Sequence, residues 1–374
     1  MISLDTSTNA YQLLTITALS GECSTDISSH LGISPSYAEK LITKLKNENF
    51  IKTHYKDRLR GYRLTSKGKK MLLKENPERF LFYLSGNTDT NRPRSDYPRR
   101  LRLQQASIVY SMLQNSGITF FRDKKPLLFQ KGNPAMHALP FPVFYHSREL
   151  KELGAEATKI NNSRSMGILF ASNCIYAVFC TGDSLMKCEY RTELKLKALL
   201  NYHIRSGILS KSCMSSGYPS DTPIKALFIG RNMNTSLKLL SSTGGYQRSY
   251  FHLDSSFEYF HYIPADPAGE TILRLLCTPQ LQSSLHKLLL SDLQQRCPEY
   301  NFEHDAVSDG YPVLLAYDFD MLRISRFHTA LSLYGLCGIL ICFDFQKDVL
   351  QEYFKELVSI ETIDLQKYER SFLN

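Results

Sequence analysis

The 374-residue chain contains no run of eighteen or more apolar residues, so it lacks the usual signature of a membrane-spanning helix. Its opening residues, MISLDTSTNAYQ, lack the basic region and apolar stretch of a secretory leader, and a cytoplasmic location is expected. Nine cysteines include no C-x-x-C pair and no His/Cys cluster at zinc-finger spacing, so free thiols are expected rather than a metal site or a disulfide framework. No G-x-x-x-x-G-K-[ST] or G-x-G-x-x-G cradle for phosphate occurs; Ser242-Thr243-Gly244-Gly245 reads as a plain turn, and no cofactor is expected. What is left is an ordinary globular composition, 43% hydrophobic and 11% aromatic, with room for two or three domains.

Positive charge is in excess, and it is unevenly placed. The net charge is +9, and residues 1–103 carry +8 of it, from 18 Lys and Arg against 10 Asp and Glu. Residues 34–103 hold all 18 of those cations and only seven acids, a balance of +11. A patch of this kind attracts a polyanion through counterion release.

The basic stretch coincides with a recognisable order of elements. Tyr11–Leu19 is apolar-periodic, Gly21 breaks it, and Ser24–Leu31 is expected to form a second, short helix with Ser24 as its cap. Gly32-Ile33-Ser34 follows as a turn, with a glycine able to take a positive φ and a serine placed to cap the next helix. Ala38, Leu41, Ile42 and Leu45 repeat at the spacing of one buried helical face, which leaves Ser36, Tyr37, Lys40, Thr43, Lys44 and Lys46 on the other. Helix, three-residue turn and helix is the helix-turn-helix arrangement. Phe50–Tyr55 and Gly61–Thr65 then alternate as strands do, and Lys56-Asp57-Arg58-Leu59-Arg60 joins them into a β-hairpin with cations at its tip. A further helix begins near Ser66.

Tyr62-Arg63-Leu64-Thr65-Ser66-Lys67-Gly68 resembles the Y-x-L-T-x-x-G signature that closes the wing of many bacterial winged-helix regulators. The resemblance implies that the helix after the turn enters the major groove of double-stranded DNA while the wing tip lies against the backbone or minor groove. Carried over residue by residue, Ser34, Ser36, Tyr37, Lys40, Thr43 and Lys44 are the groove candidates, and Lys56, Arg58 and Arg60 are the wing candidates. Tyr37 is equally placed to pack inside.

Residues 85–98 (SGNTDTNRPRSDYP) read as a linker between a winged helix-turn-helix domain at 1–84 and the larger remainder. Arg92, Arg94, Arg99, Arg100 and Arg102 extend the positive charge at its end. Beyond it come an amphipathic helix at 100–115, a short strand at 142–146, apolar strands at 166–172 and 174–180, a helix at 193–204 and a strand at 224–230. This order resembles a restriction-endonuclease-like α/β core over 99–230. Together with the winged helix it resembles the replication-relaxation family of plasmid and conjugative-element proteins. The fold class expected is therefore α/β, α+β overall, with residues 231–374 as a C-terminal α/β extension or second lobe. In that last part, a strand or hairpin is expected at 250–262, strands at 313–317 and 338–345, and helices at 235–240, at 272–293 with a break at Pro279, and at 348–357.

Cleavage by such a core would need an Asp entering the hairpin and an acid-x-Lys on its second strand, to hold Mg²⁺ and support the attacking water. The sequence has Asn161-Asn162-Ser163-Arg164-Ser165 and Ala177-Val178-Phe179-Cys180 at those places. Glu193-Leu194-Lys195 falls in a helix whose buried face is read as Leu194, Ala198 and Leu199, with its charges solvated. No catalytic residue and no metal ligand is therefore expected. His252, Asp254 and His261 are read as satisfied strand residues, and Asp318 and Asp320, with Asp305 and Asp309, as loop and strand-end charges.

The resulting expectation is a non-enzymatic, sequence-specific DNA-binding protein of a mobile element. It would act in plasmid replication or conjugative transfer, or as a transcriptional regulator, with a homodimer and replication or transfer proteins as further partners and no membrane. The alternative is a divergent metal-dependent nuclease using Glu189, Glu193 or Lys195.

Overall fold

Thr8 starts the first helix: in the computed structural model its hydroxyl accepts the Tyr11 N–H, and α1 (Asn9–Ser20) runs to Gly21, whose φ of +91° ends it. The structure describes residues 8–126, 142–150, 163–205, 218–219, 221–245, 250–293 and 300–373. The protein is a mixed α/β chain, with three sheets among the described residues, and divides into two units, Met1–Leu127 and Leu128–Asn374.

In the first unit, α1 is followed by β1 (Cys23–Ser24), α2 (Ile27–His30), α3 (Pro35–Asn47), β2 (Ile51–Lys56), β3 (Leu59–Leu64), α4 (Ser66–Glu75), α5 (Pro77–Leu84) and α6 (Tyr97–Asn115). The sheet order is β1-β3-β2, antiparallel throughout. The second helix is shorter than expected because Cys23 and Ser24 pair with Tyr62 and Gly61 as a third strand. The hairpin loop is also shorter: Lys56 pairs with Leu59 and Tyr55 with Arg60, so only Asp57 and Arg58 turn the chain.

The closing signature has a packing reason at each position. Tyr62 and Leu64 are buried. The Thr65 hydroxyl accepts the Gly68 N–H and so caps α4. A Cβ at Gly68 would lie 2.4 Å from the Phe50 carbonyl oxygen, so only glycine lets α4 approach β2 this closely.

Residues 85–96 form no helix or strand, yet they pack within the first unit. The Thr90 hydroxyl donates to the Ala18 carbonyl, and Arg63 and Lys69 donate to the carbonyls of Arg94 and Asn91. The division between units falls at Leu127/Leu128, so the expected linker at 85–98 and the expected start of the α/β core at 99 both lie inside the first unit. The reason is α6, whose inward face packs along α1 and β1.

The second unit runs β4 (Val143–His146), α7 (Ser147–Leu150), β5 (Gly167–Phe170), β6 (Ile175–Gly182), α8 (Tyr190–Arg205), β7 (Ile224–Gly230), α9 (Asn234–Leu240), β8 (Phe260–Pro264), α10 (Pro267–Cys277) and α11 (Pro279–Leu290). It continues with β9 (Ala306–Ser308), β10 (Tyr311–Leu315), α12 (Met321–Tyr334), β11 (Gly338–Phe343), α13 (Lys347–Phe354), β12 (Val358–Ile363) and α14 (Leu365–Phe372). One sheet has the order β4-β5-β6-β7-β8, antiparallel from β4 to β6 and parallel from β6 to β8. The other has the order β12-β11-β10-β9, parallel except for β9.

Residues of both sheets, among them Ala177 and Phe228 of the first and Leu314 and Leu340 of the second, belong to one apolar cluster. The C-terminal part is thus a second sheet sharing a core with the first. The aromatic stretch 250–262 contributes a regular strand only from Phe260, and β9, α12, β12 and α14 were not expected from the sequence. The helix α8 is also rotated from its expected phase: Glu193, Leu196, Leu200 and Ile204 face inward, while Ala198 is exposed.

Candidate nucleic-acid interface

Ser34 takes extended backbone angles and its hydroxyl accepts the Tyr37 N–H, while Pro35 supplies a preset φ at the first helical position of α3. Ala38, Leu41 and Leu45 are buried, and Ile42 is half-buried. Ser34, Ser36, Tyr37, Lys40, Thr43 and Lys44 are all exposed, and Tyr37 at 50% does not pack inside. At 100° per residue, Ser36, Lys40, Thr43 and Asn47 point most directly away from the buried face. Asn47 thus joins the set; it was missed because it is the last helical residue, where end fraying hides the period. A shallow depression of about 530 Å³ follows this face, lined by Ser36, Lys40, Thr43, Lys44 and Asn47 and by two acids, Glu39 and Glu48.

The wing candidates Lys56, Arg58 and Arg60 are exposed as well, as is Tyr55. Asp57 and Arg58 have φ of +53° and +59°, the two positive values of a two-residue hairpin whose twist matches its strands. Arg58 therefore stands at the apex in a backbone conformation that disfavours a side chain.

Behind the hairpin is a buried charge cluster that the sequence does not reveal. The Glu22 carboxylate is fully buried and accepts from Arg63 Nε at 2.7 Å, from Arg100 Nη2 at 2.7 Å and from Gln104 Nε2 at 2.7 Å. Burial pushes this carboxyl up, but the hydrogen bonds from Arg100, Gln104 and Arg63 outweigh it and hold the group below the usual carboxylate range. Arg100 also donates to the carbonyls of Lys56, His54 and Leu59, at 2.8, 3.1 and 2.9 Å, and so ties α6 to both strands of the hairpin just below its tip.

Arg100 was grouped with the arginines that extend the basic surface; with no exposed area it is a structural residue. Arg99 pairs with Asp89 at 2.6 Å, whereas Arg92 and Arg94 are exposed. Lys67 donates to the Glu48 carbonyl and lies over the Phe50 ring.

In the second unit, Glu193 is buried and accepts from the Ser163 hydroxyl at 2.8 Å and the Arg164 N–H at 3.0 Å. Burial raises its pKa. It is therefore not the solvated charge expected, and its carboxylate holds the residues leading into β5 while Lys195 faces solvent. Residues 161 and 162, where the sequence was searched for an Asp, lie outside the described residues.

Asp320 is likewise buried: it caps α12 through the Leu322 N–H and accepts the Phe260 N–H, so it is a seam residue between the two sheets. His261 lies beside Asp318, and His252 Nε2 is 4.0 Å from Asp254. Among the described residues no group of three or more His, Cys, Asp or Glu is placed to hold a metal ion, and no helix is long and apolar enough to cross a membrane.

No family model matches this chain, and neither a curated protein nor a solved structure is similar to it.

Proposed function

We propose that the protein is a sequence-specific, non-enzymatic binder of double-stranded DNA, with the first unit acting as a winged helix-turn-helix. The observation that carries this reading is the shared exposure of α3's outer face and the hairpin tip in a unit of net charge +10, while residues 128–374 balance to −1. In this mechanism Ser36, Thr43 and Asn47 approach base edges in the major groove, and Lys40, Lys44, Lys56, Arg58 and Arg60 contact phosphates. The resemblance to replication-relaxation proteins, with a restriction-endonuclease-like core over 99–230, suggests the biological setting: an accessory factor in replication or transfer of a mobile element, or a regulator of its genes.

The test selects a site from a random duplex library with the full chain, then titrates salt. Lys40→Ala with Lys44→Ala is expected to weaken binding and lower the slope of log K against log salt by about 1.8, at about 0.9 per lost phosphate contact. Unchanged affinity and slope would overturn the assignment.

A further inference from the structure

The outward face of α8 departs from the charge balance around it. Residues 128–374 hold 24 Lys and Arg against 25 Asp and Glu, whereas this face carries cations and no acids. Arg191, Lys195, Ala198, Tyr202 and Arg205 recur at i, i+4, i+7, i+11 and i+14, and all five are exposed. They form one stripe along the helix, about 21 Å long at 1.5 Å per residue. Lys197, on the flank, pairs with Glu258 at 3.2 Å, but Arg191, Lys195 and Arg205 have no ion-pair partner among the described residues.

Tyr202 is 56% exposed, and its ring meets His203 edge-on at 5.4 Å and 73°. That contact braces the phenol while leaving ring surface open between the cations. Bases inside a duplex are stacked on each other and cannot reach such a ring; unpaired bases can.

We propose that α8 is a binding surface for single-stranded nucleic acid, with Arg191, Lys195 and Arg205 on phosphates and Tyr202 stacked on an unpaired base. Charge complementarity selects the polyanion, and the ring between the cations selects the single strand. The surface is separate from the one assigned to duplex DNA and does not depend on that assignment.

The experiment measures fluorescence anisotropy of labelled oligo(dT) and oligo(U) with the full chain carrying Lys40→Ala and Lys44→Ala, which reduces the contribution of the first unit, and reads the part of the binding that depends on Tyr202 and the α8 cations. Binding to at least one oligomer is expected, and which one binds tells DNA from RNA. Tyr202→Ala is expected to weaken it about tenfold, while Tyr202→Phe, which keeps the stacking face, retains it. Arg191→Gln, Lys195→Gln and Arg205→Gln together should lower the salt slope by about 2, at about 0.7 per phosphate contact on a single strand. The same triple change in the otherwise native chain should leave duplex binding and thermal unfolding where they were. Failure of both oligomers to bind at low salt, or equal binding by Tyr202→Ala, would overturn the proposal. So would a triple variant that loses duplex and single-strand binding alike. Failure of the duplex reading is separate, since it shows as duplex affinity indifferent to Lys40 and Lys44.

Discussion

Replacing Glu22 by glutamine would remove one negative charge from a point where two guanidinium groups converge, with almost no change of shape. The carboxylate has no exposed area, and its partners Arg63 and Arg100 are 4% and 0% exposed. A glutamine there offers one acceptor and turns an NH₂ donor toward groups that are themselves donors. Removing one partner of a buried ion pair costs about 3–5 kcal/mol, because the remaining charge is left without compensation. Two cations lose their counter-charge here, so the upper half of that range is expected. Against a total of about 5–15 kcal/mol for a domain, such a loss leaves the first unit marginal.

Hydrogen exchange in rising urea, read on peptides from α1 and β3, separates this unit from the second, whose β7 peptides should not move. A change below about 1 kcal/mol in α1 and β3 would refute the account of the cluster. A second check uses Gly61, where a Cβ would lie 2.4 Å from Glu22 Oε1 and 2.5 Å from Gln104 Nε2. Gly61→Ala should destabilise the native chain and cost less when Glu22 is already alanine, because the clash is then partly relieved.

The pH dependence has a fixed sign. The folded carboxyl sits below its ordinary value, so the unfolded chain takes up the proton first as pH falls. The stabilisation is complete above the ordinary carboxylate range and lost as pH drops through the folded value. Glu22→Gln should remove that acid-sensitive component.

Two other substitutions give signs that composition alone would not predict. Arg58→Gly relieves a positive φ at the hairpin apex and should raise stability by on the order of 1 kcal/mol while lowering duplex affinity and reducing the salt slope by about 0.9; a fall in stability, or affinity that does not change, would count against the wing assignment. Gly68→Ala, which in an open helix gains about 1 kcal/mol, should instead destabilise, since the added methyl meets the Phe50 carbonyl. Thermal unfolding decides between the two signs.

Local rules made the candidate interface legible and left its support invisible. Gly32, Ser34 and the apolar set at Ala38, Leu41 and Leu45 act over three to seven residues, so their spacing alone gave the turn, the cap and the exposed face. Arg100 and Glu22 are 78 residues apart, and nothing in either segment shows that they meet. Arg100 stands in a run of arginines next to a polar stretch, where solvation is the ordinary expectation. The same limit explains β1, a two-residue strand that exists only because β3 is beside it. In α8 the error was one of phase: Leu194 and Leu199 drew the buried face toward themselves, while the helix turns Glu193 inward to hold Ser163 and Arg164.

The charge balance of the first unit also changes meaning once partners are assigned. Arg63 and Arg100 are matched to Glu22, Arg79 to Asp123 and Arg99 to Asp89. These four are guanidiniums, whose planar forks satisfy a carboxylate and nearby carbonyls together, as Arg79 does with both oxygens of Asp123. Among the described residues Lys40, Lys44 and Lys46 of α3 and Lys56, Arg58 and Arg60 around the hairpin tip make no such ion pair. Removing the four arginines and their three acids from the sum lowers the unit's net charge by only one and leaves 17 cations, among them Lys40, Lys44 and Lys46 on α3 and Lys56, Arg58 and Arg60 at the hairpin tip. A cation already paired with a carboxylate releases little counterion when a polyanion binds, so the contacts proposed for duplex DNA fall to cations outside these pairs.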